Sequence, residues 1–255
     1  MSREAIGRLI VALDFDDLTF AYTMARQLVG FAGMFKIGSQ LFAAEGPRAV
    51  EKLGGLGPGI FLDLKFHDIP STVAGAISGG ASLPGVSLID VHALGGFEMM
   101  RAARGALGDN LWRARKRPRV LAVTVLTSMD AAALRRVGIG GPPRSRAVKL
   151  ALLAKQAGLD GAVVSAHEVT PIRRTCGKGF LIVVPGVRPR GVGRIRGDDQ
   201  ARVATPGEAI RAGADYVVVG RPITAARDPC AAAAAILEEV AQAQRDRIDA
   251  PLALR

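Results

Sequence analysis

Eight short runs of this chain are almost wholly apolar, and stretches with helix-period apolar residues lie between them. The runs are Leu9–Leu13, Met34–Gly38, one beginning at Gly59, Val86–His92, Val120–Leu126, Gly161–Ser165, Phe180–Val184 and Asp215–Val219. A strand buried on both faces reads as a continuous apolar run, and strands that alternate with helices form parallel sheets. Eight is a number that closes such a sheet on itself. The expected fold class is therefore α/β, a single (β/α)8 TIM barrel over residues 1–248, with a frayed tail at 249–255. The 255 residues match the usual length of such a barrel, about 250. An open doubly wound sheet is the alternative. Against it, Asp14-Phe15-Asp16-Asp17 after the first strand offers no glycine for a dinucleotide fingerprint. Gly191-Val192-Gly193-Arg194-Ile195-Arg196-Gly197 imitates one with the wrong last spacing and no helix directly after a strand.

The intervening helices can be placed from periodicity and caps. Asp16 or Asp17 caps a helix through Val29. A single helix carries Leu41, Phe42, Val50 and Leu53, and a Gly-rich turn at 54–59 breaks it. Others cover Thr72–Ala81, a stretch opened by Gly95 and Gly96, residues 130–137, 144–157 and 167–175, and the Ala-rich stretch from Asp228-Pro229 to about Arg245.

Composition narrows the function. The N-terminus Met1-Ser2-Arg3-Glu4-Ala5 has no apolar signal core, and no apolar run is long enough to span a bilayer, so a cytoplasmic protein without membrane contact is expected. Cys176 and Cys230 make neither a disulfide framework nor a metal knot, and His67, His92 and His167 have no metal-ligand spacing. The formal charge of +11 and pI near 10.6 suit an anionic partner. The densest basic patch, Arg113-Ala114-Arg115-Lys116-Arg117-Pro118-Arg119, has Trp112 beside it but no interleaved aromatics, and aromatics are 5% overall. That argues against base stacking and favours a solvated loop, so no nucleic-acid partner is expected.

The third strand carries the chemistry. Gly59-Ile60-Phe61-Leu62-Asp63-Leu64-Lys65-Phe66-His67-Asp68-Ile69-Pro70 places three charges at the end of an apolar strand. Residues two apart in a strand share a face, so Asp63 and Lys65 point together. Pro70 ends the strand and suits a first helical turn. One Asp-x-Lys pair could simply be a salt bridge closing a strand. The other strand ends add Asp14, Lys36, Thr127, Ser128, Pro185, Arg188, Gly220 and Arg221, a polar set that core packing does not demand. In such barrels chemistry sits at the C-terminal strand ends, and phosphate commonly binds after strands seven and eight. Val218-Val219-Gly220-Arg221-Pro222 reads as that phosphate cradle, with arginine's fork suited to phosphate. The basic, Gly-containing loop 189–199, with Arg190, Arg194 and Arg196, reads either as a closing lid or as a merely disordered loop.

With these residues in hand, the chain resembles orotidine 5′-phosphate decarboxylase of the bacterial type 1 subfamily. The resemblance rests on Ala12-Leu13-Asp14, Phe35-Lys36-Ile37-Gly38, the Asp63-x-Lys65-x-x-Asp68-Ile69-Pro70 element, Val91-His92-Ala93, Leu126-Thr127-Ser128, Pro185-Gly186-Val187-Arg188, Asp198-Asp199-Gln200 and Val219-Gly220-Arg221-Pro222-Ile223, in family order over nearly the whole chain. It departs at Ser71, where many members have Asn, and in its Arg-rich 189–199 loop. The resemblance implies decarboxylation of orotidine 5′-phosphate to UMP and CO2, the last step of de novo pyrimidine nucleotide synthesis, with no metal or organic cofactor. It implies catalytic roles for Lys65, Asp63, Asp68 and Lys36, with Lys65 as proton donor. Asp14, Lys36, Asp63, Ile69, Thr72, Thr127, Ser128, Pro185, Arg188, Gln200, Gly220 and Arg221 would bind substrate. It further implies a homodimer in which Asp68 and Thr72 cross to the partner's site. Two rivals remain. Sister barrels (3-keto-gulonate-phosphate decarboxylase and hexulose-phosphate synthase) share Asp-x-Lys-x-x-Asp but use Mg2+, and lack the Leu-Thr-Ser and Pro-Gly-x-Arg elements in this form. A catalytically idle nucleic-acid-binding barrel would use the +11 charge but leaves the strand-end acids unexplained.

Overall fold

The computed structural model describes residues 2–108, 117–189 and 204–249. Eight parallel strands close into a barrel in chain order: β1 Leu9–Ala12, β2 Met34–Gly38, β3 Gly59–Phe66, β4 Val86–His92, β5 Arg119–Val123, β6 Gly161–Val163, β7 Leu181–Pro185 and β8 Tyr216–Val219, with β8 pairing back onto β1. The expected fold class therefore stands.

The strand alternation sorts side chains into two cores. Outward residues such as Leu9, Val11, Phe35, Ile37, Ile60 and Leu62 pack under the helices. Inward residues, among them Ile10, Met34, Phe61, Leu88, Leu121, Val183 and Val218, fill the barrel. The inward parity passes through Lys36 on β2, Asp63 on β3 and Asp90 on β4, all buried. The sequence thus sends its charges into the barrel by the same period that sends its hydrophobics there.

The helices are α1 Arg3–Arg8, α2 Leu18–Leu28, α3 Ser39–Glu45, α4 Pro47–Gly54, α5 Pro70–Ser82, α6 Gly96–Gly105, α7 Ala131–Arg136, α8 Pro143–Gln156, α9 Val169–Cys176, α10 Pro206–Ala212, α11 Arg221–Thr224 and α12 Pro229–Asp249. Asp17 is the cap of α2, accepting from the N–H groups of Thr19 at 2.6 Å and Phe20 at 3.1 Å. Several expectations need correction. The single helix over 41–53 is two, because Gly46 takes a left-handed φ of 61° and Pro47 restarts the helix. β5 stops at Val123 rather than Leu126: the N–H and hydroxyl of Thr124 both bond the Val163 carbonyl, at 3.2 and 3.1 Å, and the chain then turns toward the barrel mouth. Helices α1, α10 and α11 were not foreseen. The basic patch is not simply solvated, since Arg117 grips Asp160 with two bonds, at 3.1 and 2.6 Å. Its residues 113–116 lie outside the described residues, as does the tail beyond 249.

Candidate active site

The C-terminal mouth of the barrel holds a cavity of about 350 Å3, within the roughly 300–1,000 Å3 of small-molecule sites. Its walls include Asp14, Lys36, Asp63, Lys65, Thr127, Ser128, Pro185, Arg188, Gly220 and Arg221. The structure thus brings ten of the expected site residues to one hollow, from the ends of β1, β2, β3, β5, β7 and β8.

The charges form an alternating chain. Lys36 Nζ lies 2.7 Å from Asp14 Oδ1 and 3.3 Å from Asp63 Oδ2, and Lys65 Nζ lies 2.5 Å from Asp63 Oδ1. Gly38 makes room for it: a Cβ there would stand 2.7 Å from Lys36 Nζ and 3.1 Å from Asp14 Oδ1. Burial by itself would push the Asp63 carboxyl up, but Lys36, a hydrogen bond with Asp90 and Lys65 together hold it down at about 2. Burial would likewise lower Lys36, yet Asp63 and Asp14 outweigh it and keep its ammonium raised. Both ions are therefore fixed charged where their side chains are largely buried, and where an electrostatic field is less screened than in water.

Lys65 is unusual in its backbone. Its φ of 51° lies in the left-handed region, rare for a residue with a side chain. It falls where the β3–β4 ladder slips, between the pairs Leu62↔Ile89 and Phe66↔Val91. The orphaned Lys65 N–H is taken instead by Asp90 Oδ1 at 2.8 Å. The sequence reading passed over Asp90. The available signal was an acid at an inward position of a buried strand, flanked by outward Ile89 and Val91.

At the other side of the hollow, β7 ends at Pro185, and Gly186 turns the chain with a φ of 72°. Arg188 is buried, 8% exposed, and its N–H bonds the Ala204 carbonyl at 2.9 Å. After β8, Gly220 accepts from the N–H groups of Ile223 and Thr224 and so opens α11 with Arg221 beside the cavity.

Three expected residues are not brought to this hollow. Asp68, Ile69 and Thr72 stand exposed on the outer rim, and Asp68 Oδ1 only caps the Ile69 N–H at 2.6 Å. Gln200 and loop residues 190–199 lie outside the described residues. Among the described residues no three His, Cys, Asp or Glu side chains gather in metal-holding geometry, and no helix is long and apolar enough to cross a membrane.

The model of the Orotidine 5′-phosphate decarboxylase / HUMPS family matches residues 7–236. The chain belongs to this family. Relatives named orotidine 5′-phosphate decarboxylase include one from Geobacter sp. (strain M21), 50% identical over 93% of this chain and 97% of its own. Another, from Anaeromyxobacter dehalogenans, is 53% identical over 90% and 96%. A crystal structure of orotidine 5′-phosphate decarboxylase from Lactobacillus acidophilus superposes with a TM-score of 0.78 at 37% identity, covering 91% of this chain and 98% of its own. Names shared at about half identity over nine-tenths of the chain indicate the enzyme class, a decarboxylase.

Proposed function

We propose that this protein decarboxylates orotidine 5′-phosphate to UMP and CO2 through the Asp14–Lys36–Asp63–Lys65 array, without a metal or organic cofactor. The observation that carries the reading is the buried Asp63 shared between two ammonium groups at 3.3 and 2.5 Å, in a family whose relatives bear that enzyme's name. Breaking the bond from C6 to the carboxylate leaves its electron pair on C6, where the ring delocalises it poorly. A catalyst must supply compensating charge there. Lys65 Nζ does so as CO2 leaves, then gives C6 a proton and is reprotonated from solvent. Asp63 keeps the ammonium in place, and its charge opposes the substrate carboxylate until CO2 departs.

Lys36 and Asp14 hold the ribose hydroxyls, Thr127 and Ser128 meet the pyrimidine or ribose, and Arg188, Gly220, Arg221 and Gln200 hold the phosphate against Pro185. Phosphate binding contributes alignment rather than bond breaking. Asp68 and Thr72, exposed on the rim, serve the second site of a homodimer, and Ile69 beside them meets substrate. The enzyme works in the cytoplasm.

Turnover followed by loss of orotidine 5′-phosphate absorbance, in EDTA, tests the reading. Conversion to UMP is expected. No turnover in EDTA, together with Mg2+-dependent turnover of a sugar phosphate, would move the chain to the sister enzymes and remove the pyrimidine roles of Thr127 and Ser128.

A further inference from the structure

Asp90 has no part in the scheme above, yet it is fully buried beside the two residues on which that scheme most depends. Three residues of β3, Asp63, Leu64 and Lys65, stand opposite this single residue of β4. The ladder therefore offers Lys65 no carbonyl, and the Asp90 side chain takes the carbonyl's place, accepting the Lys65 N–H at 2.8 Å. Its other oxygen, Oδ2, is buried with no hydrogen-bond partner, and the Asp63 carboxyl is the acid whose charge acts on it. Two carboxyls bond only if one carries a proton. Asp63 is committed as an anion to Lys36 and Lys65. On its other side β5 meets Asp90 with apolar Leu121.

We propose that Asp90 is a positioning residue that works as a neutral acid: it accepts the Lys65 N–H, donates its own proton to Asp63, and so fixes the left-handed bulge that aims the Lys65 ammonium. Burial and then the Asp63 charge push its carboxyl well above the usual range, which fits a donor. The inference rests on Lys65 being the proton donor.

Asparagine has the shape and the bonding pattern of a protonated aspartic acid, with a carbonyl for Lys65 and an N–H for Asp63. Alanine has neither. The test is kcat and KM for orotidine 5′-phosphate in wild type, Asp90→Ala, Asp90→Asn and Lys65→Ala. Misplacement on the scale of 1 Å costs about 100-fold, so Asp90→Ala should lose about that factor in kcat, with KM changed less than about 3-fold. Asp90→Asn should recover most of the loss. A purely structural role would lower thermal stability in both variants without this split in kcat. The inference is overturned if Asp90→Ala loses less than about ten-fold in kcat, or if Asp90→Asn loses more than about ten-fold, which would assign the role to an ionised carboxylate. If Asp90→Ala does not fold, the Asp90→Asn threshold decides alone. An active Lys65→Ala would defeat the parent scheme, whereas an inactive Lys65→Ala beside a fully active Asp90→Ala defeats only this inference.

Discussion

Lys65 holds its charge where the chain would rather not put a side chain. A left-handed residue with a Cβ costs roughly 1–2 kcal/mol, and the φ of 51° persists because Asp63 and Asp90 hold both ends of the residue. Lys65→Gly should therefore be more stable than Lys65→Ala by about 1 kcal/mol in chemical denaturation, although neither should turn over substrate; equal stabilities would mean the backbone is unstrained. Gly38→Ala should push Lys36 off Asp14 and Asp63, lowering kcat/KM by about 10- to 100-fold, and wild-type kinetics would contradict the tight approach to Lys36 Nζ.

The two buried acids also pull stability in opposite directions with pH. Asp63, held down at about 2, adds stability that is present above about pH 4 and is lost as pH falls toward 2. Asp90 is raised, so its contribution is present at low pH and is lost as pH rises toward its folded value. Asn does not titrate. The melting temperature of Asp90→Asn minus that of wild type should consequently widen from pH 4 to pH 8, and a gap that stays constant would show Asp90 ionised throughout. At this scale the sequence displayed Asp14, Lys36, Asp63 and Lys65, because charges inside apolar runs stand out. Asp90 escaped because its meaning depends on a ladder slip that no single strand reveals.

At the scale of elements, the barrel separates a chemical end from a structural one. At the starts of β7 and β8, Arg173 of α9 bonds the carbonyls of Phe180 at 2.6 Å and Gly213 at 2.9 Å, and reaches Asp215 at 2.6 Å. Asp215 in turn accepts the Ile182 N–H at 2.8 Å. The pair is only partly exposed, 16% and 28%, so its loss should cost about 2 kcal/mol, or about 4–8 °C in melting temperature. Arg173→Ala should show that drop while its kcat/KM stays within about two-fold of wild type, because Arg173 lies at the N-terminal face of the barrel and the chemistry at the C-terminal one. A large kinetic loss would break that division. The strands were legible because a doubly covered parallel strand is apolar throughout. Helix α10 was missed although Thr205-Pro206-Gly207-Glu208 spells a capping box, with Thr205 N–H on Glu208 at 2.9 Å and Glu208 N–H on Thr205 at 3.2 Å. Its short apolar face is too brief for periodicity to register. The early end of β5 had no local sign, since Thr124 is bonded to a strand some forty residues away.

For the whole molecule, the rim position of Asp68 and Thr72 bears on assembly. If each site of a dimer borrows Asp68, then Lys65→Ala and Asp68→Ala proteins, both inactive alone, should regain up to about one-quarter of wild-type activity when mixed and allowed to exchange, because half the dimers then contain one intact site. No regain after demonstrated exchange would confine Asp68 to its own subunit. If the +11 charge steers an anionic substrate, kcat/KM should fall as salt rises; indifference to salt would remove that role. The overall charge and the barrel were readable from composition and strand count, whereas the assembly was reachable only through resemblance. In the proposed reaction Lys65, held by Asp63, supplies the stabilising charge and the proton. That role is tested most directly by the kcat of Lys65→Ala on orotidine 5′-phosphate in EDTA, with UMP binding measured alongside to verify an intact site. UMP should still bind, and kcat should fall by at least about 10,000-fold. Turnover within ten-fold of wild type would contradict it.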